Sequence, residues 1–131
     1  SKNSIKQINH LFENLSKKGV SLILILPSPE FDIFPDICKK EWFRQKPNAL
    51  CKIEKKEVIR KQQKAREMVY KFLDPGIHIY DPVSYLCDEK CSVIDKKGKS
   101  LYWDDDHITD YANKYYIYPN LVLFLKNLKL L

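Results

Sequence analysis

Val20-Ser21-Leu22-Ile23-Leu24-Ile25-Leu26 is a nearly unbroken apolar run of strand-forming residues, and Pro27-Ser28-Pro29 ends it at once. A run without alternation has no solvent side, so it reads as a central parallel strand covered on both faces. Each proline lacks an amide donor and restricts the residue before it, so the strand stops there. Upstream, Asn3 to Lys18 carries Ile5, Ile8, Leu11, Phe12 and Leu15 at helical spacing, and Gly19 supplies a C-terminal stop. Downstream, residues 30–52 read as an irregular excursion with two or more short turns. A long helix is then predicted from about Ile53 to Leu73, with Val58, Ala65, Met68, Val69 and Phe72 facing a core. Asp74-Pro75-Gly76 breaks it, and Ile77-His78-Ile79-Tyr80 is a second short strand. The order helix, strand, long helix, strand predicts an α/β fold, a three-layer αβα arrangement around a short parallel sheet.

Towards the C-terminus, Asp81-Pro82 opens a turn that caps a short helix carrying Val83, Leu86 and Cys87. Ser92-Val93-Ile94 and Ser100-Leu101-Tyr102 flank Asp95-Lys96-Lys97-Gly98-Lys99 as a small hairpin or extended loop with its glycine in the turn. A last helix is predicted from about Thr109 to Leu128, with Ala112, Tyr115, Tyr116, Leu121, Leu125 and Leu128 inward and Pro119 kinking or restarting it.

With 131 residues, 44% of them hydrophobic, the chain has material for one core. Residues 1–131 therefore read as a single domain or part of one. The start at Ser1, running straight into a helical pattern, suggests an N-terminus cut from something longer. The longest apolar stretch is far shorter than the ~20 residues of a spanning helix. The net charge of +6 raises the question of a nucleic-acid partner. Lys52, Lys55, Lys56, Arg60, Lys61, Lys64 and Arg66 are, however, interleaved with Glu54, Glu57 and Glu67, a mixed pattern that favours a solvated helix face over a phosphate-binding stripe. No nucleic-acid partner is expected.

Cys38, Cys51, Cys87 and Cys91 form an even set without the two-residue gap of a zinc knuckle or redox motif, and His10 and His78 are poorly placed to complete a metal site. Disulfides are the better reading. Residues four apart on a helical turn lie about 6 Å apart, which makes Cys87 to Cys91 feasible. Cys38 to Cys51 would close a polar, Lys-rich loop. Both bridges together imply an oxidising compartment.

The densest chemistry lies in Leu101-Tyr102-Trp103-Asp104-Asp105-Asp106-His107-Ile108-Thr109. A carboxylate three residues before a histidine can accept the Nδ1 proton, fix the tautomer and leave Nε2 as a general base. The same residues also fit a polar helix start, with Asp104 or Asp106 as the cap, or hard ligands for a divalent cation. Ser28, at the carboxyl end of the first strand, falls where parallel sheets build their sites, but it lacks a strand-to-helix elbow to expose a nucleophile. Ser84, Ser92 and Ser100 have no better claim. Trp103 and Tyr102 either line an acyl or sugar pocket or belong to the core.

Asp81-Pro82, Leu86-Cys87, Cys91, Gly98, Leu101-Tyr102, Asp104 and Asp106-His107-Ile108-Thr109 together resemble the last block of the SGNH hydrolase-like domain at the C-terminus of acyltransferase family 3 membrane proteins. Pro27-Ser28-Pro29 after a buried strand, then a loop with two cysteines, resembles the middle of that domain. The resemblance implies a flavodoxin-like fold, with His107 as general base and Asp104 as its orienting carboxylate. Asp105 and Asp106 fall at positions often acidic but not used for proton transfer. Ile108-Thr109 stands where Leu-Ser is usual, and Ala112 where glycine is common. The resemblance further implies that the Gly-Asp-Ser nucleophile block lies upstream of this chain, which would be the C-terminal portion of its domain. It implies an extracytoplasmic location and an N-terminal membrane acyltransferase domain. The implied partners are an acyl donor and a polysaccharide or lipopolysaccharide acceptor. No cofactor or metal is expected, because Ser-His-Asp chemistry carries its own acid and base. The alternative is a non-catalytic basic α/β module that binds polysaccharide or nucleic acid.

Overall fold

The computed structural model describes residues 2–39, 49–72 and 76–131. Helix α1 (Lys2–Lys17) is followed by β1 (Leu22–Ile25), 3-10 turns at Pro35–Cys38 and Ala49–Cys51, β2 (Lys52–Glu54), α2 (Lys55–Lys61) and α3 (Gln63–Tyr70). Then come β3 (Ile77–Tyr80), α4 (Val83–Leu86), β4 (Lys90–Ser92), α5 (Asp110–Ala112), a π-helical turn at Asn113–Ile117 and α6 (Tyr118–Asn127). Strands β1 and β3 pair in parallel, from Leu22 opposite Ile77 to Ile25 opposite Tyr80. Strands β2 and β4 pair antiparallel, with Ile53 opposite Cys91. The fold is α/β with a short parallel sheet, the class the sequence pattern predicts.

Helix α1 ends at its glycine. Gly19 has a φ of 73°, its amide donates to Ser16 O at 2.9 Å, and Val20 N donates to Leu15 O at 3.1 Å. These reverse bonds satisfy carbonyls that the last turn leaves without partners, and a residue lacking Cβ adopts that φ at little cost. Asp81 caps α4 as expected, its Oδ1 accepting from Val83 N at 3.1 Å. The 95–99 hairpin also forms. Gly98 has a φ of 76°, and Asp95 Oδ1 accepts from both Lys97 N and Lys99 N.

Several expectations are corrected. The strand expected over 20–26 spans only Leu22–Ile25, and it is not covered on both faces: Leu22, Ile23 and Leu24 are half-buried, and Ile25 is 61% exposed. Among the described residues β1 pairs with β3 alone, so the parallel sheet is two strands wide. The main core sits elsewhere, where Phe31, Ile33, Val58, Val83, Val93, Leu101 and Tyr102 pack round the four cysteines.

The long helix is also divided. Residues 52–54 pair with β4 instead of coiling, and a one-residue turn at Gln62 separates α2 from α3 while the bonds Gln62 N–Val58 O and Arg66 N–Gln62 O persist. Met68 is exposed, whereas Gln62 and Arg66 are buried. The break expected at Asp74-Pro75 falls outside the described residues, and Gly76 has a φ of 96°.

In the last helix the discontinuity is a π turn just before Pro119. That ring cannot donate to the preceding turn, and the wider turn absorbs the mismatch. Side chains take up its carbonyls, with Tyr80 Oη donating to Ile117 O at 3.0 Å and Asn120 Nδ2 to Tyr116 O at 2.6 Å. Tyr115, expected inward, is exposed.

Both disulfides form as expected, Cys38–Cys51 and Cys87–Cys91. The second does not sit on a helical turn: α4 stops at Leu86, and Cys87 and Cys91 face each other across an antiparallel bridge with Cα atoms 4.3 Å apart. Replacing Cys38 and Cys51 together by serine is expected to lower the unfolding free energy by about 3 kcal/mol in urea titrations. The Cys87–Cys91 pair closes a shorter loop, and its loss should cost about 1 kcal/mol less.

Candidate active site

Residues 103–107 form a loop closed by its own backbone. Tyr102 and Ile108 bridge, Trp103 N donates to His107 O at 2.8 Å, and Thr109 N donates to Leu101 O at 3.0 Å. Inside the loop, Asp104 Oδ1 accepts from His107 N at 2.8 Å and from Asp106 N at 3.2 Å. The chain thus folds back over its own aspartate, as Asp side chains favour. That reversal sets the imidazole over the carboxylate, with Nδ1 3.0 Å from both Asp104 oxygens and 2.8 Å from Asp106 Oδ1. Ionised carboxylates only accept, so Nδ1 carries the proton and Nε2 is the basic nitrogen. The His107 side chain is 75% exposed, which leaves Nε2 accessible.

The electrostatics follow from these contacts. The amide of His107 lowers the Asp104 carboxyl to about 2 against a smaller opposing effect of burial, helped by the Asp106 amide and the imidazole. The His107 pKa is raised, first by the hydrogen bond to Asp104 and then by the charges of Asp104 and Asp106. In an NMR titration the His107 midpoint should lie above the ordinary imidazole value and fall in Asp104→Ala. Because folding raises the imidazole pKa, its contribution to stability is complete below the unfolded value and is lost as pH rises through the folded midpoint. The Asp104 contribution has the opposite sense, present above about 3.9 and lost as pH falls towards 2.

The loop is held from the carboxyl end of β1. Ser28 Oγ donates to Asp106 O at 2.8 Å and Phe31 N to Asp105 O at 2.8 Å, while the Phe31 ring packs edge-on against Tyr102 at 4.9 Å. The Pro27-Ser28 segment is itself fixed by Gln62, whose Nε2 donates to Pro27 O at 3.1 Å and Ser28 O at 2.7 Å. Gln62 Oε1 accepts from Arg66, and Arg66 forms a fork onto Asp81 at 2.8 and 3.1 Å. The relay ties the ends of both parallel strands to the helix crossing between them.

The family model described as "SGNH domain (fused to AT3 domains)" matches residues 1–118. The chain belongs to this family. It is an acyltransferase-associated SGNH domain, and the resemblance read from its motifs holds. No curated protein and no solved structure matches it.

In this SGNH domain the other sequence candidates sort out by contact. Asp104 and His107 are brought together. Ser28 lies beside them, but its hydroxyl donates to a backbone carbonyl of their loop. Neither Asp104 nor Asp106 caps the last helix, because Thr109 does, its Oγ1 accepting from Ala112 N at 3.1 Å. Asp104, Asp106 and His107 offer atoms within 4.8 Å of one another, an exposed group whose closeness the hydrogen bonds already explain. His78 is half-buried on β3. The basic stripe is laced with ion pairs, Arg60 to Glu57, Lys61 to Asp32, Arg66 to Asp81 and Lys90 to Glu54, as its mixed signs predict. Sequence reasoning missed the relay of Gln62, Arg66 and Asp81, since partners on separate elements leave no local spacing to read.

Proposed function

We propose that this SGNH domain, the C-terminal portion of a longer one, supplies the Asp-His pair of a Ser-His-Asp triad in an extracytoplasmic O-acyltransferase. The observation that carries the proposal is the His107 ring, with Nδ1 on both Asp104 oxygens and Nε2 accessible, on a loop anchored at the carboxyl end of a parallel strand. The serine lies outside residues 1–131. His107 Nε2 takes the serine proton as Oγ attacks the acyl carbonyl, and returns it to the departing donor group. An acceptor hydroxyl then gives its proton to Nε2 and takes the acyl group, and Nε2 passes that proton to the departing serine Oγ. Asp104 stabilises the imidazolium in both halves.

The acyl group in this reading is acetyl, the acceptor is an envelope polysaccharide or lipopolysaccharide, and the AT3 domain is the membrane partner. Two disulfides support an oxidising, extracytoplasmic site. No described helix is long and apolar enough to cross a membrane. The test is acyl transfer to polysaccharide by the intact membrane protein and its His107→Ala variant, where equal rates would remove His107 as the base.

A further inference from the structure

Tyr102 and Trp103 are neighbours with opposite fates. Tyr102 is 2% exposed and packed on Phe31, while Trp103 is 68% exposed. The Trp103 backbone is pinned to His107 O, so the indole has a fixed root beside the Asp-His loop. It forms one wall of a cleft of about 370 Å³ that Asp36, Lys39, Lys99, Asp110 and Tyr111 also line. The size is that of a small-ligand site, and an aromatic wall with a few polar groups is the usual lining.

The charges around the cleft decide its ligand class. Two acidic and two basic residues line it, and Lys39 Nζ already lies 2.6 Å from Asp36 Oδ1. An anionic ligand meets no net attraction there. A polyol does better, because each hydroxyl both donates and accepts and can use Asp36, Asp110 and Lys99 in turn. The Tyr111 hydroxyl is committed to Asp95 at 2.7 Å, so that residue offers mainly its ring. A pyranose combines a rim of hydroxyls with a face of C–H bonds, and such a face suits the electron-rich face of an indole.

We propose that this cleft is a subsite for one uncharged hexopyranose unit of the acceptor, stacked on Trp103. Trp103 and Thr109, both in the lining, flank in sequence the loop that carries Asp104 and His107, so the cleft adjoins that loop at its two ends. The inference rests on the acyl-transfer reading for its biological acceptor, although sugar binding is measurable without activity.

The probes are methyl α-glucopyranoside, methyl β-galactopyranoside and, as the anionic arm, methyl glucuronide, followed by saturation-transfer NMR on the chain. Transfer to the ring C–H protons of the neutral glycosides is expected, with a shift of the Trp103 indole N–H, told from that of Trp42 by its loss in Trp103→Ala. Trp103→Ala should weaken binding about tenfold, and Trp103→Phe should recover part of it. Absence of transfer, binding unchanged in Trp103→Ala, or tighter binding of the glucuronide would each overturn the subsite. The two readings separate cleanly. If His107→Ala keeps full acyl transfer while Trp103→Ala loses sugar binding, the catalytic reading fails and the subsite stands; the reverse pattern removes the subsite alone.

Discussion

Acyl transfer by the intact protein is expected to fall about ten-thousandfold or more when His107 becomes alanine, because no other described group can take the serine proton in both half-reactions. His107 is exposed and its loop is closed by backbone bonds, so the variant should fold. Asp104→Asn is the sharper substitution. Its side-chain oxygen can still accept from the His107 and Asp106 amides and keep the turn, but its amide group can donate to Nδ1 and select the tautomer with the proton on Nε2. A loss in kcat of similar order is expected with little change in KM, and the pH–rate profile should lose its raised midpoint. Asp105→Asn serves as the control, since Asp105 acts on the ring by charge alone and less than Asp104 or Asp106 does. If Asp104→Asn retained the parent rate, Asp104 would be a turn residue and the orienting carboxylate would be Asp106, whose Oδ1 lies 2.8 Å from Nδ1.

The largest stability effect is expected at Arg66. Its side chain and that of Asp81 are only 10% and 24% exposed, and the fork between them is the least exposed ion pair among the described residues. Arg66→Ala leaves Asp81 Oδ2 and the Gln62 side-chain carbonyl without their donors, while Asp81 Oδ1 keeps Val83 N, and should lower the unfolding free energy by about 3 kcal/mol. Arg66→Lys should recover little, because one ammonium cannot span Gln62 Oε1 and both Asp81 oxygens. A double-mutant cycle with Asp81→Ala in urea reads the coupling directly. A loss below about 1 kcal/mol would mean that water substitutes for the guanidinium. The His107 titration should be unmoved in Arg66→Ala, since every contact that shifts it lies within its own loop.

What the sequence made legible was local. Gly19 as a helix stop, Ile77–Tyr80 as a strand, Asp81 over α4, and Asp104 with His107 each depend on residues within a few positions, and each forms as read. The misreadings were tertiary. An apolar run states what a strand tolerates rather than what covers it, so Ile25 was assigned to an interior it does not occupy. Helical spacing placed Met68 inward and gave no reason to bury Arg66, whose partner lies fifteen residues on and whose cost of burial only that partner offsets. The π turn was hidden for a related reason: Pro119 announces a disruption, but its form depends on Tyr80 reaching the freed carbonyl of Ile117.

Every hydrogen bond given to the imidazole comes from within five consecutive residues, while Ser28 Oγ and Phe31 N fasten that loop to the segment after β1. Aim and reach are therefore written in different parts of the chain. A drift in the length or composition of the 27–31 segment would carry the pair nearer to or farther from its nucleophile as a rigid piece, leaving the tautomer untouched. Selection could retune the distance for a bulkier acyl group or acceptor without rebuilding the base.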